Sequence, residues 1–468
     1  MIRNIFFALA ILALTNVNAQ TTLPTFFSDH MVLQQQTDAL IWGTDDPNTN
    51  VTVSGSWGAE ATSRTGKDGK WKVKLSTPVA GGPYTITISG SQKFILKDVL
   101  IGEVWFCSGQ SNMEMPVKGF NNQPITGSNE AILHGENELI RLFTAPRDAS
   151  LEPLDDVNGN WQTATPASVK EFSATAYFFG RKLQEILDIP VGLIHSSWGG
   201  SKAEAWMDEQ TLSDFPELEI PKEITESTRR NHTPTLLYNA MLHPFIGYSI
   251  KGALWYQGES NRQAAEQYKT LFPALINSWR EQWQQGSFPF YFVQIAPYRY
   301  DGNEESSAAF LREAQLYALQ HTEHTGMAVT MDIGDCDCIH PAEKEQVGER
   351  LAYWALANDY GMEGIAFRGP EYREMEITGE GKIKLSFDHI ETGLYFDDDS
   401  SSGFEIAGAD RSFVPAEVTV NRDRTLTVWS DQVPEPVAVR YAFKNCIDGT
   451  LFNTFGLPAS SFRTDDWE

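Results

Sequence analysis

Residues 104–107 form an uninterrupted apolar run, Val-Trp-Phe-Cys, that stops at Ser108-Gly109 and gives way to Gln110-Ser111-Asn112. A short run that is apolar at every position reads as a strand buried on both faces, the mark of a parallel sheet. Parallel strands need crossover connections, usually helices, so this one stretch commits the chain around it to an α/β arrangement. A serine at the turn from such a strand into a helix holds its hydroxyl above the sheet, beside the first unpaired N–H groups of the helix. Ser111 is therefore a candidate nucleophile with a place for a developing oxyanion next to it.

The surrounding sequence keeps to that arrangement. Strands are expected at 103–106, 191–194, 252–256, 290–294 and 328–331, alternating with helical patterns at 174–187, 204–212, 264–284, 307–320 and 341–358. Such alternation predicts a mostly parallel sheet with helices on both faces and a ligand site at the carboxyl ends of the strands. On either side the period shortens. Runs such as Trp71-Lys72-Val73-Lys74-Leu75 and Tyr84-Thr85-Ile86-Thr87-Ile88 precede the α/β region, and Lys382-Ile383-Lys384-Leu385 and Glu417-Val418-Thr419-Val420 follow it, separated by turn residues. These are period-2 strands of two flanking β domains, the second sandwich-like. The expected division is 20–98, 99–361 and 362–468, in keeping with 468 residues being too many for one ordinary core.

The start of the chain, Met1-Ile2-Arg3-Asn4, then an apolar run from Ile5 to Leu14 and Val17-Asn18-Ala19, has the pattern of a secretory signal peptide cleaved after Ala19. A secreted or periplasmic location is expected, and no later stretch is long and apolar enough for a membrane span. A formal charge of -26 argues against nucleic acid or an anionic membrane as partner. Oligomeric state is not legible. Four cysteines are too few for a disulfide framework, but Cys336 and Cys338 flank Asp337, so one bridge near the site is expected, its pairing open.

A serine hydroxyl is a weak nucleophile; it needs a base, and the base an orienting partner. Asp337-Cys338-Ile339-His340-Pro341 follows a predicted strand and delivers both to the edge where Ser111 sits. His340 is the candidate base, with Pro341 suited to the first turn of a helix. Asp332, Asp335 and Asp337 compete for the acid; spacing favours Asp337, and were its side chain to point away, a backbone carbonyl would orient the ring and leave a Ser-His dyad. Oxyanion donors are expected from Gly199-Gly200, where backbone N–H groups can approach a substrate closely, and from Gln257-Gly258-Glu259-Ser260-Asn261, where Glu259 holds neighbouring loops. Cys336-x-Cys338-x-His340 lacks the second ligand pair of a zinc site, so neither metal nor cofactor is expected. The acidic run Asp397-Asp398-Asp399 is read as a solvated turn.

Taken together, Gly109-Gln110-Ser111-Asn112-Met113, Ser197-Trp198-Gly199-Gly200 with Glu204-Ala205-Trp206, Trp255-Tyr256-Gln257-Gly258-Glu259-Ser260-Asn261, and Asp332-Ile333-Gly334 through Ile339-His340-Pro341 resemble the sialate O-acetylesterase family of SGNH hydrolases. The resemblance extends to the closing segment Asn453–Ser460. It implies a flavodoxin-like core flanked by β domains that removes O-acetyl groups from sugars through an acyl-enzyme. Carried over, Ser111 is the nucleophile, His340 the base and Gly199 or Gly200 the second-block donor. Ser260 stands where the superfamily's third block has asparagine, so Gln257 or Asn261 would supply that donor, and the acid also departs from the usual placement. Grip on a sialic-acid carboxylate would need an arginine near Ser111, with Arg262 and Arg312 as candidates. Acetylated plant polysaccharide, a carbohydrate-binding protein without activity, and a lipid esterase or thioesterase are the competing functions; the last wants a long apolar lid segment that the sequence lacks.

Overall fold

The computed structural model describes residues 21–397 and 403–467. The expected signal segment and residues Asp398 and Asp399 of the acidic run lie outside them. The central sheet is built from β1 (Lys93–Gly109), β2 (Asn137–Thr144), β3 (Trp161–Ala164), β4 (Val191–Ser197), β5 (Gly252–Tyr256), β6 (Phe290–Val293) and β7 (Thr325–Ala328), in the spatial order β7-β6-β5-β1-β4-β2-β3. Every neighbouring pair is parallel except β2–β3. β1 is central, so its carboxyl end opens at the point where the connections diverge to both sides, the place where sheets of this type bind ligands.

Side-chain alternation along β1 explains the layering. Val104 and Phe106 join the core beneath α2 (Ala265–Trp283) and α3 (Ser307–His321), with Phe272, Ile276 and Trp279 packed on them. Trp105 and Cys107 point to the other face, into the core beneath α1 (Ala174–Leu187) and α4 (Lys344–Asn358), with Phe179 and Trp354. Helices thus cover both faces of a strand that is apolar at every position, as the sequence required.

Some boundaries differ from expectation. The division at 98/99 falls within β1: Asp98 adopts φ +52°, the antiparallel pairing with Gly81–Ser89 runs on to Ile101, and the parallel pairing with β4 begins at Glu103. β2 and β3 are not evident in the sequence, because Arg141 interrupts β2; its guanidinium is buried and donates to both carboxylate oxygens of Asp98, at 2.6 and 3.1 Å. The strand expected at 328–331 instead ends at Ala328, and the helix expected from Pro341 begins at Lys344. Both shifts leave more chain for the loop carrying His340. The pattern at 204–212 resolves into two short pieces, Ala203–Trp206 and Glu209–Leu212.

Downstream, two four-stranded antiparallel sheets share one core in which Ile383, Leu385 and Val428 of one meet Phe404, Val439 and Tyr441 of the other. The chain's last segment returns to the α/β region, where Gln294 donates to Ser460 Oγ at 2.8 Å and Arg312 Nε to Ser461 Oγ at 3.0 Å. No helix among the described residues is long and apolar enough to cross a membrane.

Candidate active site

Ser111 stands immediately beyond β1. Gly109 makes that possible: its φ is +139°, and a Cβ there would lie 2.2 Å from the Tyr256 carbonyl oxygen, so no larger residue fits the turn. Gln110 N–H then donates to that same carbonyl at 2.9 Å, tying the turn to β5. The helix that follows, Ser111–Glu114, is a single turn.

From the far side of the sheet edge the loop after β7 brings His340, whose Nε2 lies 2.7 Å from Ser111 Oγ across 229 residues of sequence. For Nε2 to accept the hydroxyl proton, Nδ1 must carry hydrogen. It meets Gln123 Oε1 at 2.7 Å. The imidazole is therefore oriented by a neutral amide, neither by the aspartate nor by the backbone carbonyl considered from sequence. Asp337 is exposed and pairs with Arg299 at 2.9 Å, Asp332 is held by Arg350 at 2.6 Å, and Asp335 caps the N–H of Asp337 at 2.8 Å. Asp335 and Asp337 are thus turned to the surface, while Asp332 is taken up by a largely buried pair with Arg350. Gln123 carries no sequence signal: it is one polar residue in a polar loop.

Burial, reinforced by the positive charge of Lys344, pushes the His340 imidazole down to about 4, with Glu114 opposing. A histidine held so low is a neutral, proton-accepting base at pH 5, where an ordinary imidazole is mostly protonated. The acid limb of kcat/KM is accordingly expected well below pH 6. Gln123→Leu removes the orienting acceptor and should lower kcat roughly 10- to 100-fold with KM nearly unchanged; Gln123→Glu, by placing a carboxylate on Nδ1–H, should move the acid limb to higher pH. Rates of 4-nitrophenyl acetate hydrolysis across pH check both.

Gly199 lies against the nucleophile, its Cβ position 3.3 Å from Ser111 Cβ. Its N–H donates at 2.8 Å to Glu114 Oε2, and Glu114 is gripped by Nε and Nη2 of Arg147 at 2.6 Å each. Arg147 sits over the ring of Trp198 at 5.7 Å. Gly200 adopts φ +70°, and its carbonyl accepts from Ser260 Oγ at 3.0 Å.

The third loop is braced inward. Gln257 is fully buried; its amide donates to the Ser201 carbonyl at 3.0 Å and to Asn261 Oδ1 at 2.7 Å, while Tyr268 donates to its oxygen at 2.9 Å. Asn261 in turn accepts from Ala203 N–H at 3.0 Å and donates to Glu204 at 2.8 Å. Both side chains thus join the second and third loops together; both amide hydrogens of Gln257 are already used, as is one of those of Asn261. Glu259 is buried and accepts from Asn112 Nδ2 at 2.6 Å. Neither arginine proposed to grip a carboxylate is free at the site: Arg312 is wholly buried against Ser461 and the Lys444 carbonyl, and Arg262 pairs with Asp301 at 3.0 Å. The guanidinium next to the nucleophile belongs to Arg147, in a segment with no motif to mark it.

Residues 101–357 match the family model of carbohydrate esterases described as sialic acid-specific acetylesterase. The chain is 32% identical over 490 residues to sialate O-acetylesterase of Mus musculus, covering 90% of this chain and 88% of that protein. It is also 32% identical over 400 residues to the enzyme of Homo sapiens, covering 78% and 76%. Among solved structures, a carbohydrate acetylesterase from Xanthomonas citri superposes with a TM-score of 0.88 at 37% identity, covering 96% of this chain and all of that one. A serine–imidazole contact above a parallel sheet and these matches lead to one statement: the chain belongs to the sialic acid-specific acetylesterase family of carbohydrate esterases.

Proposed function

We propose that the protein is an exported carbohydrate O-acetylesterase working through a serine acyl-enzyme on an SGNH-type three-layer core, with β domains at 20–98 and 362–468. The observation that carries this is the 2.7 Å contact between His340 Nε2 and Ser111 Oγ. Ser111 attacks the acetyl carbonyl carbon as His340 takes its proton; the sugar oxygen leaves with that proton, and water, activated by the same imidazole, releases acetate. Gln123 keeps the ring in the tautomer this needs.

The oxyanion forms at the N–H groups of Ser111 and of Gly199 or Gly200. Support for Gly199 comes from Glu114, whose carboxylate oxygen sits 2.8 Å from that amide and marks a place where negative oxygen is held. The substrate oxygen takes the place of the Glu114 oxygen on this N–H. Gln257, Glu259 and Asn261 hold the loops beside Ser111. Loss of one oxyanion donor costs about 3 kcal/mol of barrier.

The names of the curated relatives favour O-acetylated sialic acid as substrate. A neutral acetylated polysaccharide is favoured by the arginines: Arg147 is already paired with Glu114, and Arg262 and Arg312 are committed elsewhere. Acetate release measured side by side from acetylated sialoglycan and acetylated xylan decides between them, with Ser111→Ala as the blank. Release from neither substrate would contradict a carbohydrate esterase.

A further inference from the structure

Lys344 is a residue for which the mechanism above has no task. It is the first residue of α4, where a cation opposes the helix dipole, and it is completely buried. Burying an ammonium is costly unless it is well bonded, and here burial pushes it down to about 7, against the pull of Glu259. Nζ donates to Asn112 Oδ1 at 2.8 Å and to the Pro341 carbonyl at 2.7 Å, and faces the Tyr256 ring at 5.5 Å. Asn112 completes the figure, donating from Nδ2 to Glu259 Oε1 at 2.6 Å and to the Ile339 carbonyl at 3.1 Å. The carbonyls on both sides of His340 are thus tied to one side chain or the other of this pair. Asn112 is also covalently next to Ser111.

We propose that Lys344, acting with Asn112 and Glu259, is a positioning residue that locks the His340 loop to the nucleophile and holds a positive charge behind the imidazole. Base and nucleophile come from segments 229 positions apart, and an error of about 1 Å in such an alignment can cost about 100-fold in rate. A single hub bonded to both segments removes that freedom. Its charge also destabilises the imidazolium, working with burial to keep His340 a neutral base. The groups acting on the imidazole are Glu114 from the turn after β1, Lys344 from α4, the Ser111 hydroxyl and the neutral Gln123 amide. Those acting on Lys344 are Glu259 and the Cys338 thiol. Oε2 of Glu259 has no partner among the described residues, so the carboxylate faces the hub through Oε1 alone.

The inference rests on the Ser111–His340 reading, and the test separates the two. Lys344→Met and Lys344→Gln, each checked for folding by circular dichroism and melting, are assayed on 4-nitrophenyl acetate across pH beside wild type and Ser111→Ala. The expected result is a fall in kcat of roughly 10- to 100-fold with KM within about twofold, and an acid limb of kcat/KM moved up by about one pH unit as the repelling charge is lost. A folded variant with wild-type kcat and an unmoved acid limb overturns the proposal. Failure of both variants to fold overturns it too, since Lys344 would then be structural. Activity remaining in Ser111→Ala would instead bring down the nucleophile assignment.

Discussion

Ser111→Ala should abolish ester hydrolysis, with kcat falling on the order of a million-fold toward the background left by substrate binding and the oxyanion donors. The magnitude follows from chemistry. Among the described residues no other hydroxyl lies on His340 Nε2, so removing Oγ leaves the imidazole without a nucleophile to activate and the site without a group to acylate. Folding should be unaffected, because Ser111 Oγ is half-buried and its loss removes a hydrogen bond whose other member can turn to water. Equal melting temperatures beside a collapse of turnover would show the loss to be chemical. Retained turnover would move the nucleophile elsewhere.

The second large effect concerns stability. Cys336 and Cys446 form a disulfide across 110 residues of sequence, joining the loop that carries His340 to the C-terminal β region. In the chain-entropy description, a link closing a loop of about 100 residues restricts the unfolded chain by about 4.7 kcal/mol. Cys446→Ser, or reduction of the wild type, should therefore lower the melting temperature by roughly 10 °C. Activity at temperatures below the transition should fall as well, since the bridge lies four positions from His340. Cys107 and Cys338 are free and provide a control: burial pushes the Cys107 thiol far up and makes it inert, whereas Cys338 is partly accessible, so alkylation of the native protein should fall on Cys338. Unchanged melting in reducing agent would contradict the stabilising role of the bridge.

How much of this was legible in the sequence depends on whether a residue's task is local. The apolar run into Gly109 and Ser111 was legible because strand, turn and nucleophile occupy one continuous stretch whose backbone demands are written in its residue types. His340 was legible through its place after a strand. Gln123 was not, because its task exists only once two loops meet. Proximity along the chain favoured Asp337 as the acid, but the turns that carry His340 inward leave Asp335 and Asp337 exposed, and Asp332 is spent on a largely buried pair with Arg350. Gln257 and Asn261 follow a strand end that the sequence marks, but the inward hydrogen bonds that occupy their side chains are tertiary and carry no local signal. Glu114 lies within the nucleophile motif, yet its bond to Gly199 depends on β4 lying beside β1. The same is true of the fold. β5 and α1 were predicted to the residue because hydrophobic period and caps agree, whereas β2 was hidden by Arg141, an arginine buried for the sake of Asp98.

The central claim, that a serine at the end of β1 is acylated with His340 as its base, is tested most directly by covalent labelling. Incubation with a fluorophosphonate followed by peptide mapping should place a single adduct on Ser111 in wild type, with the label lost in Ser111→Ala and formed far more slowly in His340→Ala. An adduct on another serine, or labelling of Ser111 at the same rate without His340, would contradict the account.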